Sequence, residues 1–381
     1  LNVGYTQRNV KQFNYTPSFK REQFFNLGSG SKYYSESDNL TVENILKYDR
    51  VIATDHSFNL TLLYGIYTDK NESSTLGSKN IFNDVLGFNA LEIGDNFSIN
   101  TDASKSQQIS TMARLGYRFK GKYIADFTVR RDGYSAFGRG KKYGVFPAVG
   151  LSWNISEEKF MEDFRAVNNL KLRASWGKNG NRGVSAYSSL SSLGQVNYVF
   201  GDGGATAVGL YTTSLGNPNL GWESTTSTNV GVDFSILSNR ISGSVDYYQT
   251  QTRDLLLRQS IPNMSGFTSF LRNIGETENN GLEVSLNTIN IQTNGFVWNT
   301  KVAFSFNRNK IVKLTGNDLN NDGKEDDDIN NKWFIGQPLG SNYDYVFDGI
   351  YQEGDDMSLI PSAKPGHIRF KDIDGDGAIT P

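Results

Sequence analysis

The chain of 381 residues has no cysteine and only two histidines. Disulfides and thiolate metal centres are therefore excluded, and a thiol-free chain is suited to crossing an oxidising compartment unfolded. No run of about 18 apolar residues occurs, so no helix of this sequence spans a bilayer. That leaves spanning strands open, because a strand crosses with about 9–11 residues, half of them polar. Neither sign of charge dominates: 38 Lys and Arg stand against 40 Asp and Glu, a net charge of −2, which supplies no global field for nucleic acid. Proline is scarce at 8, whereas glycine reaches 39 and aromatics 13%, with 24 Phe and 19 Tyr. Mean hydropathy is −0.47. Rings at this density lean toward strands.

Catalytic signatures are also missing. There is no His-Glu-x-x-His, no Gly-x-Ser-x-Gly and no phosphate-cradling glycine loop followed by a helix. His56 and His367 lie in unrelated segments and read as plain polar residues. "GRGKKYG" (138–144) has glycines and lysines at the wrong spacing for a phosphate loop and reads as a connection between strands. We therefore expect no enzyme.

What is present is alternation. In "NVGVDFSILSNRISGSVDYYQT" (229–250), Val230, Val232, Phe234 and Ile236 alternate with polar or small residues. After Ser238-Asn239-Arg240 the pattern restarts at Ile241, Gly243, Val245 and Tyr247. This is a two-faced hairpin. Similar runs place strands near 1–8, 41–52, 55–68, 108–119, 123–131, 145–155, 169–177, 226–236, 240–250, 280–288 and 296–307. Short connections (120–122, 238–240, 290–295) are set against long ones, roughly 9–40, 69–107, 178–225, 251–279 and 308–381, and 156–168 is expected to be one short helix. Short turns at one end and long loops at the other are the habit of outer-membrane barrels.

Charges separate cleanly. Arg114, Arg118, Asp126, Arg130, Lys171, Arg173, Asp233, Asp246, Glu283 and Lys301 all fall on the polar parity of their strands. A charge facing lipid at mid-membrane costs about 2–4 kcal/mol, so a barrel enforces this, but a soluble core does so too. Aromatics favour the membrane: Tyr117, Phe119, Tyr123, Trp153, Phe296 and Trp298 sit at strand ends beside the short connections, where an interfacial girdle belongs.

Longer strings carry a resemblance. "VFPAVGLSWNISEEKFMED" (145–163), "NNLKLRASWGKNGN" (168–181), "GNPNLGWESTTSTNVGVDF" (216–234), "DYYQTQTRDLLL" (246–257), "NIGETENNGLEVSLNT" (273–288), "GQPLGSNYDYVFDGIYQ" (336–352) and "KPGHIRFKDIDGDGAIT" (364–380), in this order, resemble the SusC/RagA family of TonB-dependent outer-membrane transporters. The resemblance implies an all-β transmembrane antiparallel barrel of 22 strands with an amino-terminal plug. It further implies import of oligosaccharides or peptides across a Bacteroidetes outer membrane, a SusD-like surface lipoprotein as lid, and energy from TonB. The strands above make roughly half such a barrel, over 1–307, with 308–381 a long extracellular loop region. The chain opens at Leu1 without an initiator Met and closes inside a motif. We therefore expect a partial barrel, without plug or TonB box, that does not transport alone. Val230, Phe234, Val245 and Tyr247 should face lipid, and Asp233 and Asp246 the lumen.

Two acidic turns have the spacing of calcium loops. Asp372, Asp374 and Asp376 precede Gly377 in "DIDGDG", and Asp318, Asn320 and Asp322 precede Gly323 in "DLNNDG". Alternate oxygens converge on one point and the glycine permits the sharp turn. The alternative is a solvated turn built from Asp and Gly. Calcium here would stiffen an outer loop; no cofactor is required. Contacts to substrate or lid are expected from loop aromatics: Tyr187, Tyr198, Phe200 and Tyr211, then Trp333, Tyr343, Tyr345 and Tyr351. Rings stack on sugars and equally pack against protein. The competing readings are a surface structural or adhesive β-protein and a soluble carbohydrate-binding sandwich; the unequal loops count against the sandwich.

Overall fold

A computed structural model describes residues 1–381 except 22, 23, 200–203, 205, 320, 361, 374, 380 and 381. Phe200, Asp374 and Asn320 thus lie outside the described residues. The chain divides into two units, Leu1–Asn307 and Arg308–Pro381.

The first unit is built on an 11-stranded sheet in which each strand hydrogen-bonds the next along the chain. The strands are β1 (Asn2–Thr16), β2 (Gly28–Ile52), β3 (His56–Ile81), β4 (Asn96–Phe119), β5 (Tyr123–Tyr134), β6 (Tyr143–Asn154), β7 (Val167–Asn181), β8 (Glu223–Ile236), β9 (Ile241–Arg253), β10 (Glu276–Gln292) and β11 (Val297–Lys313). Connections at one end are 53–55, 120–122, 155–166, 237–240 and 293–296; those at the other are 17–27, 82–95, 135–142, 182–222 and 254–275. The tight end uses left-handed backbone: Lys120 and Gly121 have φ of 53° and 71°, the two positive values that a primed hairpin turn needs and that glycine supplies without strain.

Every expected strand has a counterpart, but several are longer. β2, β3 and β4 run for 25, 26 and 24 residues, about 80 Å of chain. Segments 9–40 and 69–107, expected as loops, are therefore mostly strand. Above the apolar band both faces of these strands are polar, as in Ser35-Glu36-Ser37 against Asn71-Glu72-Ser73. The ladder continues there while the hydrophobic alternation that reveals it has stopped. The short helix expected over 156–168 is also corrected: it is two single 3₁₀ turns, Ile155–Glu157 and Lys159–Met161, with no side-chain cap at either. Glu158 between them is extended, at φ −82° and ψ 146°, because its carboxylate is committed elsewhere, as described below.

Register fixes the faces. Across neighbouring strands Phe119 faces Tyr123, Tyr123 faces Trp153, Trp153 faces Leu172, Leu172 faces Val232, Val232 faces Val245 and Val245 faces Val284. The opposite face carries Gly116, Asp126, Gly150, Ser175, Asn229, Tyr248 and Gly281 in one row. Among the described residues nothing covers the apolar face: Val230 is 46% exposed, Tyr247 52% and Phe127 50%. The buried apolar side chains of this unit, such as Ile81, Tyr134, Phe137, Phe146 and Leu220, lie instead toward the long-loop end. A sandwich would have covered the apolar rows; this sheet leaves them for lipid.

The second unit carries a two-strand ladder between Phe347–Ile350 and Ile368–Phe370. The Tyr351 amide donates to the His367 carbonyl at 3.0 Å, and the Gly366 amide donates to the Tyr351 carbonyl at 2.8 Å.

A lipid-facing assignment has a measurable cost. Val245→Arg is expected to lower folding stability in vesicles by about 2–4 kcal/mol, read by urea titration, whereas Ser244→Arg, one residue along and on the polar face, stays below about 1 kcal/mol. Equal losses would contradict the two-faced wall.

Candidate functional site

The polar face carries several charges held in pairs. Arg173 donates from Nε to Asp233 at 2.8 Å and from Nη2 to Asp233 at 2.8 Å and to Asp246 at 3.0 Å. The fork spans three strands because β8 places Gly231 between them. A Cβ there would lie 2.9 Å from Arg173 Nη2 and closer still to the Asp246 carboxylate. Nearby, Arg114 pairs with Asp126 at 2.9 Å. Toward the long-loop end, Arg130 donates to Asp132 at 2.8 Å and to the Ser110 hydroxyl at 3.0 Å, and that hydroxyl donates to Asp132. Tyr67 donates to Glu43 at 2.5 Å. Pairs of this exposure contribute little stability each, about 0–1 kcal/mol. They hold these charges in pairs along a wet surface, while Arg118, Lys171, Glu283 and Lys301 on the same face have no ion pair among the described residues.

The apolar face is bounded by rings. At the tight-turn end His56, Phe119, Tyr123 and Trp153 form a continuous run, with centroids 4.8, 6.3 and 6.3 Å apart. Glu158 fastens it, accepting from Tyr123 Oη at 2.6 Å, Trp153 Nε1 at 3.1 Å and Lys122 Nζ at 3.2 Å. Those bonds, the Tyr123 hydroxyl first, hold the Glu158 carboxyl below its ordinary range. On β6, Tyr143 and Trp153 bracket Val145, Pro147, Val149 and Leu151 on the same face. That interval is the roughly 9–11 residues of a tilted spanning strand.

The long connections are fastened to one another. Leu220, fully buried, packs with Tyr134, Ala136 and Phe137, and Val184, Trp222, Leu256 and Leu271 close around them. Backbone and amide bonds complete the joint: Gly138 N donates to Leu220 O at 2.8 Å, Gly221 N to Asn273 Oδ1 at 2.7 Å, Asn273 Nδ2 to Gly221 O at 2.9 Å, and Trp222 Nε1 to Lys142 O at 3.0 Å. The string "GNPNLGW" is thus a clasp binding three connections. Gly138 is required at its centre, since a Cβ there would collide with the Pro218 carbonyl. A smaller clasp holds 17–27 to 82–95: Asp84 accepts from Ser18 Oγ at 2.6 Å and Tyr15 Oη at 2.6 Å, which keeps its carboxyl low, the Ser18 hydroxyl contributing most.

The expected contact residues are scattered. Tyr198 and Tyr211 stand 60% and 52% exposed on a hairpin of Ser192–Val199 with Thr206–Ser214. Tyr187 accepts from the Lys105 amide at 3.2 Å. In the second unit, Trp333 is half-buried and bridges Asp328, Tyr343 packs on Phe334 at 4.9 Å, and Tyr345 packs on Phe370 at 5.0 Å. Tyr351 is 2% exposed; it is core there and offers no ring to a ligand. His56 belongs to the girdle, its Nδ1 2.8 Å from Tyr117 Oη.

In the acidic turns the first aspartate serves the turn itself. Asp372 accepts from Gly375 N at 2.8 Å and Gly377 N at 3.0 Å, and Asp376 from Ala378 N at 2.8 Å. Asp318 accepts from Asp322 N at 3.1 Å and Gly323 N at 3.0 Å. Among the described residues no three His, Asp or Glu side chains converge as a metal group. Sequence reasoning passed over the roles of Gly231, Glu158, Gly138 and Asn273, although Glu158 and Asn273 lie inside two of the strings that carry the family resemblance.

A sheet with one bare apolar face banded by rings, one polar face of charged and amide side chains and clasped long loops is a segment of an outer-membrane β-barrel. The chain belongs to the TonB dependent receptor-like β-barrel family, whose model matches residues 1–364. It is 35% identical over 364 residues to TonB-dependent receptor P3 of Formosa agariphila, covering 93% of this chain and 36% of that protein. It is 35% identical over 292 residues to TonB-dependent receptor SusC of Bacteroides thetaiotaomicron, covering 73% of this chain and 28% of that protein. The RagAB peptide transporter superposes with a TM-score of 0.78 at 25% identity, over 92% of this chain and 38% of that one. The chain therefore spans about a third of the length of the relatives it matches.

Two outcomes are expected. Because the Glu158 carboxyl is held low, its bonds are complete above the ordinary glutamate range and are lost only as pH falls through the depressed value. The acid midpoint of Trp153 emission is expected below about pH 4.3, and Glu158→Gln is expected to abolish that transition. Leu220→Ala is expected to cost about 2–5 kcal/mol locally, read as faster proteolysis within 182–222 and 254–275 at unchanged strand circular dichroism.

Proposed function

We propose that the protein containing this chain imports oligosaccharides or peptides across the outer membrane, driven by TonB and covered by a SusD-like surface lipoprotein. The observation that carries the reading is the pairing of an apolar, ring-banded face with a polar face in a member of this receptor family. Arg173, Asp233 and Asp246 on that polar face would line the passage as one bridged group lying flat on the wall. The likeness to the RagAB peptide transporter supports peptide as one cargo class.

In this reading the long connections and residues 308–381 lie outside the cell, by the rule that short turns are periplasmic. Loop rings such as Tyr187, Tyr198 and Tyr211 would meet cargo or lid. A calcium ion held by Asp372 and Asp376 would stiffen an outer loop and take no part in chemistry. The test is uptake by cells lacking the gene, supplied separately with labelled oligosaccharides and peptides. Loss of uptake for one class, matched by loss on TonB depletion, is expected. Unchanged uptake of both would favour a surface structural protein instead.

A further inference from the structure

At the top of the apolar band, most strands end in neutral or ion-paired residues on the lipid face. β3 carries Lys70, paired with Glu72 at 2.6 Å. β8 carries Thr228 and Thr226, β9 carries Gln249 and Gln251, and the next outward residue, Arg253, pairs with Glu276 at 3.4 Å. β5 to β7 differ. On β5 the apolar residues end at Val129 and the next outward residue is Arg131; on β7 they end at Trp176 and the next is Lys178. Between them β6 ends in Tyr143, and the Arg131 guanidinium lies 4.1 Å from its ring centre. Arg131 and Lys141 are exposed, and Arg131, Lys141 and Lys178 have no ion pair among the described residues.

Lys141 and Lys178 line one cavity of about 240 Å³, walled by Tyr143, Val145 and Trp222, with Asp254 its one carboxylate. The floor is rigid, because Trp222 is locked to the Lys142 carbonyl and to the Phe146 ring at 5.4 Å. The cavity therefore stands where the apolar band gives way to the outer headgroup layer, with two cations in it and a third on an adjacent strand. Its depth and its amide and carboxylate walls suit a phosphorylated sugar more than bare phosphate, since hydroxyls find acceptors beside the cations.

We propose that this cavity binds the phosphorylated sugar headgroup of an outer-leaflet glycolipid, with Lys141 and Lys178 on phosphate and Arg131 at the rim. The assignment rests on the lipid-facing reading of this sheet, not on the identity of the cargo. A membrane-side cation contributes about fivefold in binding, so removing all three is expected to reduce binding about a hundredfold.

The experiment uses the intact outer-membrane protein, extracted in mild detergent, with co-purifying glycolipid counted by native mass spectrometry. Arg131→Gln combined with Lys141→Gln and Lys178→Gln is expected to lose the bound glycolipid. Lys70→Gln with Arg253→Gln, which alters the paired cations, is expected to keep it. Lys141→Gln alone, in a loop outside the ladder, is expected to give about a fivefold loss, which keeps the test decisive where the triple variant folds poorly. Retention of glycolipid by both the triple and the single variant overturns the proposal. In a second arm, delipidated protein is titrated with inorganic phosphate and with a short-chain phosphorylated glycolipid. Preference for the glycolipid supports the assignment, and equal affinity for inorganic phosphate overturns it in favour of a soluble anion. If glycolipid stays bound while uptake of cargo is absent, the transport reading alone fails.

Discussion

In a hydrocarbon layer every backbone amide and carbonyl must find its partner within the protein, and the rest of this molecule follows from that requirement. The 11-stranded ladder meets it for the nine strands between its two edges. Once the backbone is paired, the alternation of side chains sends each residue to lipid or to the polar side with no third choice. The row Phe119, Tyr123, Trp153, Leu172, Val232, Val245 and the row Gly116, Asp126, Gly150, Ser175, Asn229 are two readings of the same registers. A slip of one residue between β7 and β8 would turn Arg173 or Asp233 to lipid and break their ion pair, so the charges themselves guard the register.

Parity made most of the wall legible in the sequence. Val230, Phe234, Val245 and Tyr247 share one face, and Asp233 and Asp246 the other, because period-two patterning survives wherever one face meets lipid. The same reasoning fails where lipid ends. At Thr68 to Ser74 and Ser35 to Asp38 both faces meet water, no residue type is forbidden on either side, and a ladder leaves no trace in the sequence. The 156–168 segment misled for a related reason: Ser156-Glu157-Glu158 looks like a helix start, but Glu158 has better partners in Tyr123, Trp153 and Lys122 than a helix could offer.

The outer connections were visible as loops but not as a joined structure. The clasp depends on Gly138 accepting the close approach of Pro218, on Asn273 closing a two-way amide bond with Gly221, and on Leu220 filling the gap among Tyr134, Ala136 and Phe137. These residues are far apart in the chain and none has a local pattern that announces a partner. Tyr351 shows the converse. Its neighbours suggest an exposed loop aromatic, yet it is 2% exposed and forms the core of its own unit, a tertiary fact that no window of sequence contains.

The glycines of the polar face connect the wall to its use. A full side chain at position 231 would push Arg173 and Asp246 away from one another on the polar face. With glycine there, the guanidinium lies across β8 and its charge is spent on two carboxylates. The gain in stability is small, because such pairs are partly solvated. The gain in shape is larger. A bridging group that lies flat keeps this part of the wall low, which suits the proposed passage of a polar molecule.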